Sequence, residues 1–320
     1  MTMLSVQNLS IRFRTNDGYV HAVNDVSFDI DAAQKLAIVG ESGSGKSQIA
    51  LAILGLQAKN AEISGTINYN GQNLLQLPSA QLNKIRTKDI AIIFQDPMSS
   101  LNPYMTIERQ LNEVLELHEG LRGKAARSRV LQAMDAVQIP DAKNRLKSYP
   151  HEFSGGMRQR IVIAMALLCS PKLILADEPT TALDVTVQAQ IMRLLDQIQS
   201  DFGTSIMLIT HDLGVVAGFC EETLVLYGGR IMERADTKAI FAQPSHPYTR
   251  GLMRAVPNIH APTETLQSIP GQPPNQLSEL TGCPFAERCE DAIAACTSTL
   301  PQLTASQPMR ACLRPIEELT

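Results

Sequence analysis

The sequence predicts an α/β fold in which helices cover both faces of a mostly parallel sheet. The first observation behind this prediction is a set of short, uninterrupted apolar runs, which are typical of strands covered on both faces. These runs lie at residues 36–39, 173–176, 206–210 and 223–227. The second observation is that stretches with helical spacing of apolar residues separate the runs. A chain of 320 residues can form one large domain with an appendage, or two domains.

The N-terminal part of the chain predicts strands around a glycine-rich turn. Alternation of apolar and polar residues indicates two early strands, and the apolar positions are Leu4, Val6, Val26, Phe28 and Ile30. After the apolar run at 36–39, glycines interrupt residues 40–45, and residues 47–56 predict a helix. Residues 62–70 predict another strand, which ends at an Asn-Gly turn signal.

The middle of the chain changes to a helical pattern. From about residue 96 to 166 the apolar residues recur at helix spacing, which predicts a helical insertion into the sheet-forming part. Farther along, Asp184 is predicted to cap a helix. The predicted inward stripe of that helix consists of Val187, Ile191, Leu194, Leu195 and Ile198. Beyond about Arg234, seven prolines predict an irregular segment: Pro244, Pro247, Pro257, Pro262, Pro270, Pro273 and Pro274.

Composition and charge narrow the class of protein. With 28 basic and 32 acidic residues, the net charge is −4, which argues against a free-standing nucleic-acid binder. No stretch approaches the roughly 18 uninterrupted apolar residues needed to span a bilayer. The N-terminus lacks the basic start and apolar run of a secretory signal, so we expect a protein on the cytosolic side of the membrane.

One segment matches the phosphate-loop pattern G-x-x-x-x-G-K-[ST] in full. Its residues are Gly40, Glu41, Ser42, Gly43, Ser44, Gly45, Lys46 and Ser47. The glycines let the backbone curl so that its amides point at phosphate oxygens, and the helix N-terminus adds partial positive charge. Lys46 is predicted to reach the β- and γ-phosphates of a nucleotide, and the Ser47 hydroxyl to hold Mg²⁺. A chance Gly/Ser turn is disfavoured because a strand precedes the loop and a helix follows it.

Two further segments carry candidate catalytic groups. Asp177 and Glu178 end the apolar run at 173–176, where Asp177 can orient the Mg²⁺ shell and Glu178 can polarise the attacking water. An acid pair after a strand is by itself often only a helix cap. His211 follows the run at 206–210, where it can contact the γ-phosphate, although a lone histidine at a strand end is more often structural.

The sequence Phe-Ser-Gly-Gly-Met-Arg-Gln-Arg at 153–160 resembles the signature sequence of ABC ATPases. The resemblance implies that Ser154, Gly155 and Gly156 form a second anion site, which clasps the γ-phosphate of a nucleotide bound by a partner subunit. Further matches in the order of the family are Gln95, the Asp-loop Thr181-Ala182-Leu183-Asp184, and the switch His211-Asp212. The resemblance implies a RecA-like core with antiparallel β and helical subdomains. It also implies that Gln95 contacts Mg²⁺ and the attacking water, and that Asp184 belongs to the nucleotide site.

A closer resemblance covers nearly the whole chain. Residues 94–103, 177–187 and 246–249, together with the cysteine-bearing tail, resemble the ATP-binding subunits of oligopeptide and dipeptide permeases. This implies an ATP-hydrolysing subunit of an importer, with a nucleotide-binding domain at 1–237 (helical subdomain about 96–166) and an extension at 238–320. It also implies a head-to-tail ATPase dimer, with a distinct second ATPase chain as the favoured partner, two membrane permease subunits and a solute-binding protein, on the cytoplasmic face of the inner membrane.

The alternative is a soluble ABC ATPase without a transport role. Such proteins usually carry two phosphate loops, or coiled-coil or zinc insertions, whereas this chain has one loop and a negative net charge. The sequence departs from the general ABC pattern at Phe153 and Met157, which flank the second anion site. The resemblance implies an aromatic residue that stacks on adenine, for which Tyr19 and Phe13 are the candidates and Tyr19 is slightly favoured, with a plain core role as the alternative for either.

Four of the six cysteines crowd into the last forty residues: Cys283, Cys289, Cys296 and Cys312. Four thiolates suit either a tetrahedral Zn²⁺ or a four-cysteine iron–sulfur cluster, and the absence of a C-x2-C pair argues against zinc. The family resemblance implies a [4Fe-4S] cluster in at least some members, so we expect a cluster here, with reduced thiols or disulfides as the alternative. Cys169 and Cys220 lie in apolar surroundings and are predicted to be core residues.

Overall fold

The computed structural model describes residues 2–181, 183–255, 268–305 and 307–318. Its strands are β1 (Thr2–Thr15), β2 (Gly18–Asp31), β3 (Lys35–Val39), β4 (Ala61–Tyr69), β5 (Gln72–Asn73), β6 (Ile90–Ile93), β7 (Leu173–Asp177), β8 (Ser205–Thr210), β9 (Glu222–Tyr227), β10 (Arg230–Asp236) and β11 (Met309–Arg310). Its α-helices are α1 (Lys46–Ile53), α2 (Ser79–Ile85), α3 (Pro97–Ser100), α4 (Ile107–Glu119), α5 (Gly123–Ala136), α6 (Ala142–Arg145), α7 (Gly155–Leu167), α8 (Val185–Phe202), α9 (Leu213–Ala217), α10 (Thr237–Ala242) and α11 (Pro247–Arg254).

The chain divides into two compact units. The first consists of Met1–Asp31, Lys35–Gln76 and Ile209–Thr320, and the second of Ala32–Gln34 and Leu77–Leu208. The phosphate loop lies in the first unit, and the signature sequence lies in the second.

The first unit contains an antiparallel sheet with strand order β2-β1-β4-β5. The alternation predicted for β1 and β2 is confirmed, because Leu4, Val26 and Ile30 are fully buried and Phe28 nearly so. The predicted strand at 62–70 is confirmed as β4, which pairs with β1. Long strands that bury one face and expose the other read as alternating sequence, which is why this sheet was predictable.

A second set of strands in the first unit has the order β11-β10-β9-β3. β3 runs parallel to β9, with Ile38 opposite Leu224, whereas β10 is antiparallel to both of its neighbours. All four residues of the run at 36–39 have no exposed surface, as expected for a strand covered on both faces. β3 leads directly into the phosphate loop and α1, so a rigid, buried strand fixes where that loop begins.

In the second unit, β6 and β7 are parallel and adjacent, and β7 also neighbours β8. Helices α3 to α7 lie between β6 and β7 in the chain, which agrees with the predicted helical insertion. The predicted cap of α8 is confirmed: the Asp184 carboxylate accepts a hydrogen bond from the Val187 amide at 3.0 Å. Of the predicted stripe, Val187 is only half-buried, and the other four residues are buried.

The prediction of an irregular segment beyond Arg234 is wrong for two stretches, which form α10 and α11. Pro247 is the first residue of α11, a position at which proline's fixed φ and missing amide proton favour a helix start. The buried Glu233 carboxylate holds this start by accepting hydrogen bonds from the Ser245 amide and hydroxyl, both at 2.7 Å, and from the His246 amide at 2.9 Å. The predicted irregular positions at 257 and 262, like Ala182 of the Asp-loop, lie outside the described residues.

Among the residues that the structure describes, no helix is both long and apolar enough to cross a membrane.

Candidate active site

The phosphate loop joins β3 to α1 and turns around the side chain of Lys46. The Lys46 side chain is buried, and its Nζ donates hydrogen bonds to the carbonyl oxygens of Gly40 and Glu41, both at 2.8 Å. Gly45 has a φ of 96°, and a Cβ atom there would lie 2.2 Å from the Ala22 carbonyl oxygen. Only glycine fits this position, so the packing of the loop against β2 requires the glycine that the motif supplies.

The remaining predicted residues of the phosphate loop differ in how much of their surface is exposed to solvent. Ser44 is buried, with its Oγ 3.4 Å from Lys46 Nζ, and its amide donates to the Glu41 carbonyl oxygen at 3.2 Å. Ser42 and Gly43 are exposed, and Ser47 is half-buried in the first turn of α1. The loop therefore presents backbone amides and serine hydroxyls at the N-terminus of a helix, a combination suited to binding phosphate groups.

The acidic pair lies at the end of β7 in the second unit. Asp177 is 9% exposed. Glu178 has a φ of 47°, a value that is unusual for a residue other than glycine. This backbone conformation turns the chain directly after the strand. The Glu178 Oε2 atom accepts hydrogen bonds from Gln95 Nε2 at 2.9 Å and from Thr181 Oγ1 at 2.8 Å. The structure thus brings together Gln95 and Glu178, two residues predicted from separate motifs.

Thr181 is a contact that sequence reasoning missed. It was recognised only as part of the Asp-loop, and no role was assigned to its hydroxyl. The signal that could have found it is its position three residues after Glu178, since the Thr181 amide also donates to the Glu178 carbonyl oxygen at 3.2 Å and closes a turn.

His211 lies in the first unit, directly after β8, and it is exposed. The carboxylate of the neighbouring Asp212 accepts a hydrogen bond from the Gly214 amide at 2.9 Å and thereby caps α9. This cap fixes the turn on which His211 stands.

The signature sequence forms the start of α7. The Ser154 hydroxyl caps the helix by accepting a hydrogen bond from the Met157 amide at 3.4 Å. Gly155 and Gly156 occupy the first turn, and a Cβ atom on Gly156 would lie 2.6 Å from Val187 Cγ1. Glycine at 156 therefore lets α7 lie close to α8, and Ser154 and Gly155 at the helix start are exposed.

The two positions that depart from the general pattern, Phe153 and Met157, pack beside this helix start. Phe153 is buried, and the Arg145 guanidinium lies 5.6 Å from the centre of its ring. Arg145 Nη1 also lies 3.5 Å from Met157 Sδ. Both side chains support the helix start from the flank.

Tyr19, the favoured adenine-stacking residue, is half-buried in β2. Its hydroxyl donates to Glu62 Oε1 at 3.1 Å, and the Arg12 guanidinium lies 4.4 Å from its ring centre. Phe13 lies in β1 opposite Val20. The structure therefore places the Tyr19 ring in a polar cluster, with Arg12 covering one of its faces.

The interpretation of the four C-terminal cysteines as a [4Fe-4S] or other metal site is wrong. Within the described parts of the chain, which include all four, no three His, Cys, Asp or Glu side chains are grouped so that they could hold a metal ion. Burial raises the pKa of Cys283 to about 12 and that of Cys289 to about 11. In the absence of metal, this burial favours the protonated thiol over the thiolate at both positions. Cys169 and Cys220 are buried, as predicted.

Comparisons with known proteins agree with these motifs. A family model described as "ABC transporter" matches residues 23–181, and one described as "Oligopeptide/dipeptide transporter, C-terminal region" matches residues 232–296. The chain is 54% identical to the oligopeptide transport ATP-binding protein OppD of Escherichia coli (strain K12), covering 99% of this chain and 94% of that protein. It is 56% identical to OppD of Haemophilus influenzae, covering 94% and 93%.

Solved structures support the same assignment at the level of the fold. The dimeric structure of the ATP-binding cassette MJ0796 bound to ADP and Pi, a post-hydrolysis state, matches with a TM-score of 0.66 and 27% identity. The match covers 73% of this chain and 99% of that one. Since more than half of the residues are identical to curated relatives over nearly the whole length, the chain belongs to the ABC transporter family, among its oligopeptide transport ATP-binding proteins.

Proposed function

We propose that the chain is the ATP-binding and ATP-hydrolysing subunit of an ABC importer, and that it powers the uptake of oligopeptides or dipeptides across the cytoplasmic membrane. The observation that carries this proposal is the 54% identity to a protein named for oligopeptide transport, over 99% of the chain. The match of residues 232–296 to an oligopeptide/dipeptide transporter region adds support. Neither finding favours the alternative of an ABC ATPase without a transport role.

The phosphate loop of the first unit is proposed to bind the triphosphate of ATP. Lys46 directs its ammonium group into the curl of the loop, where the β- and γ-phosphate oxygens of ATP can accept its hydrogen bonds. The N-terminus of α1 attracts the same anion, as do backbone amides of the loop other than those of Glu41 and Ser44, which donate within the chain. Tyr19 is the residue proposed to contact adenine.

The donor chemistry of Ser47, Gln95 and Asp177 fits Mg²⁺. These side chains offer hydroxyl, amide and carboxylate oxygens, which are the ligands that this hard cation prefers. When bound, Mg²⁺ offsets negative charge on the phosphate oxygens. Asp177 is the last residue of the buried strand β7, and Ser47 lies in the first turn of α1. Both side chains are therefore fixed in position before nucleotide binds.

Glu178 is proposed as the residue that polarises the attacking water. Its carboxylate is held by Gln95 and Thr181, and a carboxylate fixed in this way needs little reorganisation to accept a proton from water. His211 is proposed to contact the γ-phosphate.

Hydrolysis is proposed to need two chains. Ser154, Gly155 and Gly156 present the uncovered first turn of α7, and Asp184 caps α8 within the adjacent Asp-loop. We assign this surface to the nucleotide held by the loop of a partner ATPase chain. Both surfaces belong to the proposed nucleotide-binding domain at residues 1–237, which the proposed C-terminal extension at 238–320 follows.

The partners proposed for the assembled importer are a second, distinct ATPase chain, two membrane permease subunits and a solute-binding protein that acts through the complex. The chain would then sit peripherally on the cytoplasmic face of the inner membrane. The names of the relatives, which describe ATP-binding proteins of peptide transport, support this arrangement.

Replacing Glu178 with Gln tests the hydrolytic role. The variant keeps its size and its hydrogen-bonding partners but loses the proton acceptor, so phosphate release should fall by about a hundredfold or more while ATP binding persists. Glu119→Gln, an exposed carboxylate at the end of α4, is the matched control and should leave turnover unchanged. Unchanged phosphate release by Glu178→Gln would remove Glu178 from this role, and failure of the wild-type importer to couple ATP hydrolysis to peptide uptake would contradict the function itself.

A further inference from the structure

The second residue of the phosphate loop, Glu41, is held by side chains from the far end of the chain. Its carboxylate accepts two hydrogen bonds from Arg288, from Nη1 at 2.7 Å and from Nη2 at 3.1 Å. The Arg288 side chain is 6% exposed and that of Glu41 is 26% exposed. A bidentate pair with so little exposure is weakly screened by water and geometrically specific.

Arg288 is itself fixed in position. It donates to the carbonyl oxygens of Ile269 at 3.0 Å and Pro270 at 2.8 Å, and to the Tyr227 hydroxyl at 3.0 Å. Because these contacts hold the guanidinium before it meets Glu41, little side-chain entropy is lost in forming the pair. The pair therefore restrains the loop instead of following its motion.

Two more side chains reach the loop from the same end of the sequence. The Tyr248 hydroxyl in α11 accepts a hydrogen bond from the Glu41 amide at 3.0 Å. Tyr248 has no exposed surface, and its ring lies 4.5 Å from that of Tyr227 and 5.3 Å from that of Phe285. Gln276 Nε2 donates to the Gly43 carbonyl oxygen at 2.7 Å. Carboxylate, amide and carbonyl groups of one short loop are thus all bound by residues beyond position 247.

These contacts also affect the position of Lys46, the lysine proposed to bind the phosphates. Lys46 Nζ donates to the carbonyl oxygen of Glu41, so the residue that Arg288 and Tyr248 hold also helps position the lysine. Arg288 has a second effect, because an unpaired Glu41 carboxylate beside a site for a polyanion would repel that anion. We propose that the C-terminal segment sets the conformation and charge of the phosphate loop, with Arg288 and Tyr248 as positioning residues for nucleotide binding. This inference rests on the proposed function and adds a determinant of its nucleotide affinity.

Nucleotide binding by the purified full-length chain tests the inference, with a fluorescent N-methylanthraniloyl-ATP and Mg²⁺ as the probe. Arg288→Met removes the charge but keeps most of the volume, and it should weaken binding about tenfold. Adding Glu41→Gln to that variant removes the unpaired carboxylate and should restore affinity to within about threefold of wild type. Tyr248→Phe, which deletes one oxygen and keeps the ring packing, should weaken binding about threefold.

Arg254→Met is the matched control, because it breaks the exposed Arg254–Glu290 pair at the end of α11 and should leave affinity unchanged. Wild-type affinity in a folded Arg288→Met protein would overturn the inference, and so would a double variant that recovers nothing, since lost packing is not rescued by removing a charge. If Arg288→Met does not fold, Tyr248→Phe decides, and wild-type affinity there is the overturning result. A wild-type chain that fails to bind the probe would instead contradict the proposed function.

Discussion

At the scale of single residues, the most informative feature is the environment of Glu178. Its backbone lies in the left-handed region, and donors from two separate segments, Gln95 and Thr181, meet on one carboxylate oxygen. Gln95 was predicted from its motif, whereas the contribution of Thr181 depends on a turn conformation that sequence alone does not give. Strained backbone and converging donors together are typical of a residue whose orientation matters for chemistry.

The Thr181 hydroxyl should therefore affect turnover more than nucleotide binding. In Thr181→Val the side-chain shape is kept but Glu178 loses one donor, and kcat for ATP hydrolysis should fall about tenfold because a hydrogen bond to a charged group is lost. KM for ATP should stay within about twofold, since the role assigned to Thr181 is to hold the Glu178 carboxylate. Steady-state kinetics measure both, and Thr181→Ser should restore kcat. A drop confined to KM, or no drop, contradicts this role.

At the scale of elements, the start of α11 shows how the C-terminal segment is organised. The His246 side chain caps this helix, with Nδ1 accepting a hydrogen bond from the Tyr248 amide at 3.0 Å. Burial lowers the pKa of His246 to about 3, which keeps the ring neutral and its nitrogen available as an acceptor. The cap fixes the helix turn that carries Tyr248, and through it one contact with the phosphate loop.

This burial predicts a pH dependence of stability. A histidine in the unfolded chain has a pKa of about 6.5. Between that pH and the pKa of His246 in the folded protein, the unfolded chain therefore binds one proton more than the folded chain. Stability from this group is present above the unfolded pKa and is lost as the pH falls. Between about pH 7.5 and pH 5 the free energy of unfolding should fall by about 2 kcal/mol more in wild type than in His246→Asn, which can still cap the helix but cannot titrate.

Urea unfolding at the two pH values measures this difference. Other ionisable groups are common to both proteins, so their contributions cancel in the comparison. Equal losses of stability on acidification in wild type and His246→Asn would contradict the burial of a neutral histidine at this position.

The elements also separate what the sequence can predict from what it cannot. The cap at Asp184 and the strand that contains Ile38 were predictable, because each depends on neighbouring residues and on a simple apolar pattern. The helix that begins at Pro247 was missed, because proline marks both irregular chain and helix starts, and the Glu233 carboxylate that decides between them is distant in sequence. The contact of Arg288 with the phosphate loop was missed for the same reason.

The prediction of a metal site at the four C-terminal cysteines was wrong for a different physical reason. Number and spacing of thiols indicate a potential ligand set, but the grouping of the side chains in space decides whether they can ligate metal. No such set is grouped for metal binding in the described parts of the chain. This spatial grouping is not visible in the spacing.

At the scale of the whole molecule, the proposed function assigns two phosphate-binding surfaces to two different nucleotides. The loop around Lys46 is proposed to bind the chain's own ATP, and the start of α7 at Ser154 to complete the site of a partner. The two surfaces belong to different compact units of the chain. If the assignment is correct, damage to each surface should give a different pattern in the isolated chain and in the assembled importer.

The last prediction compares these patterns. Lys46→Ala should abolish detectable nucleotide binding by the isolated chain, because it removes the cation that meets the phosphates. Ser154→Arg should leave that binding within about twofold of wild type, yet it should lower ATP hydrolysis by the assembled importer by about a hundredfold, because a bulky side chain fills the partner's half of the site. Ser200→Arg, at an exposed position of α8, controls for the added arginine and should change neither quantity. Loss of nucleotide binding by the isolated Ser154→Arg chain would place both surfaces in one site and contradict the two-chain arrangement.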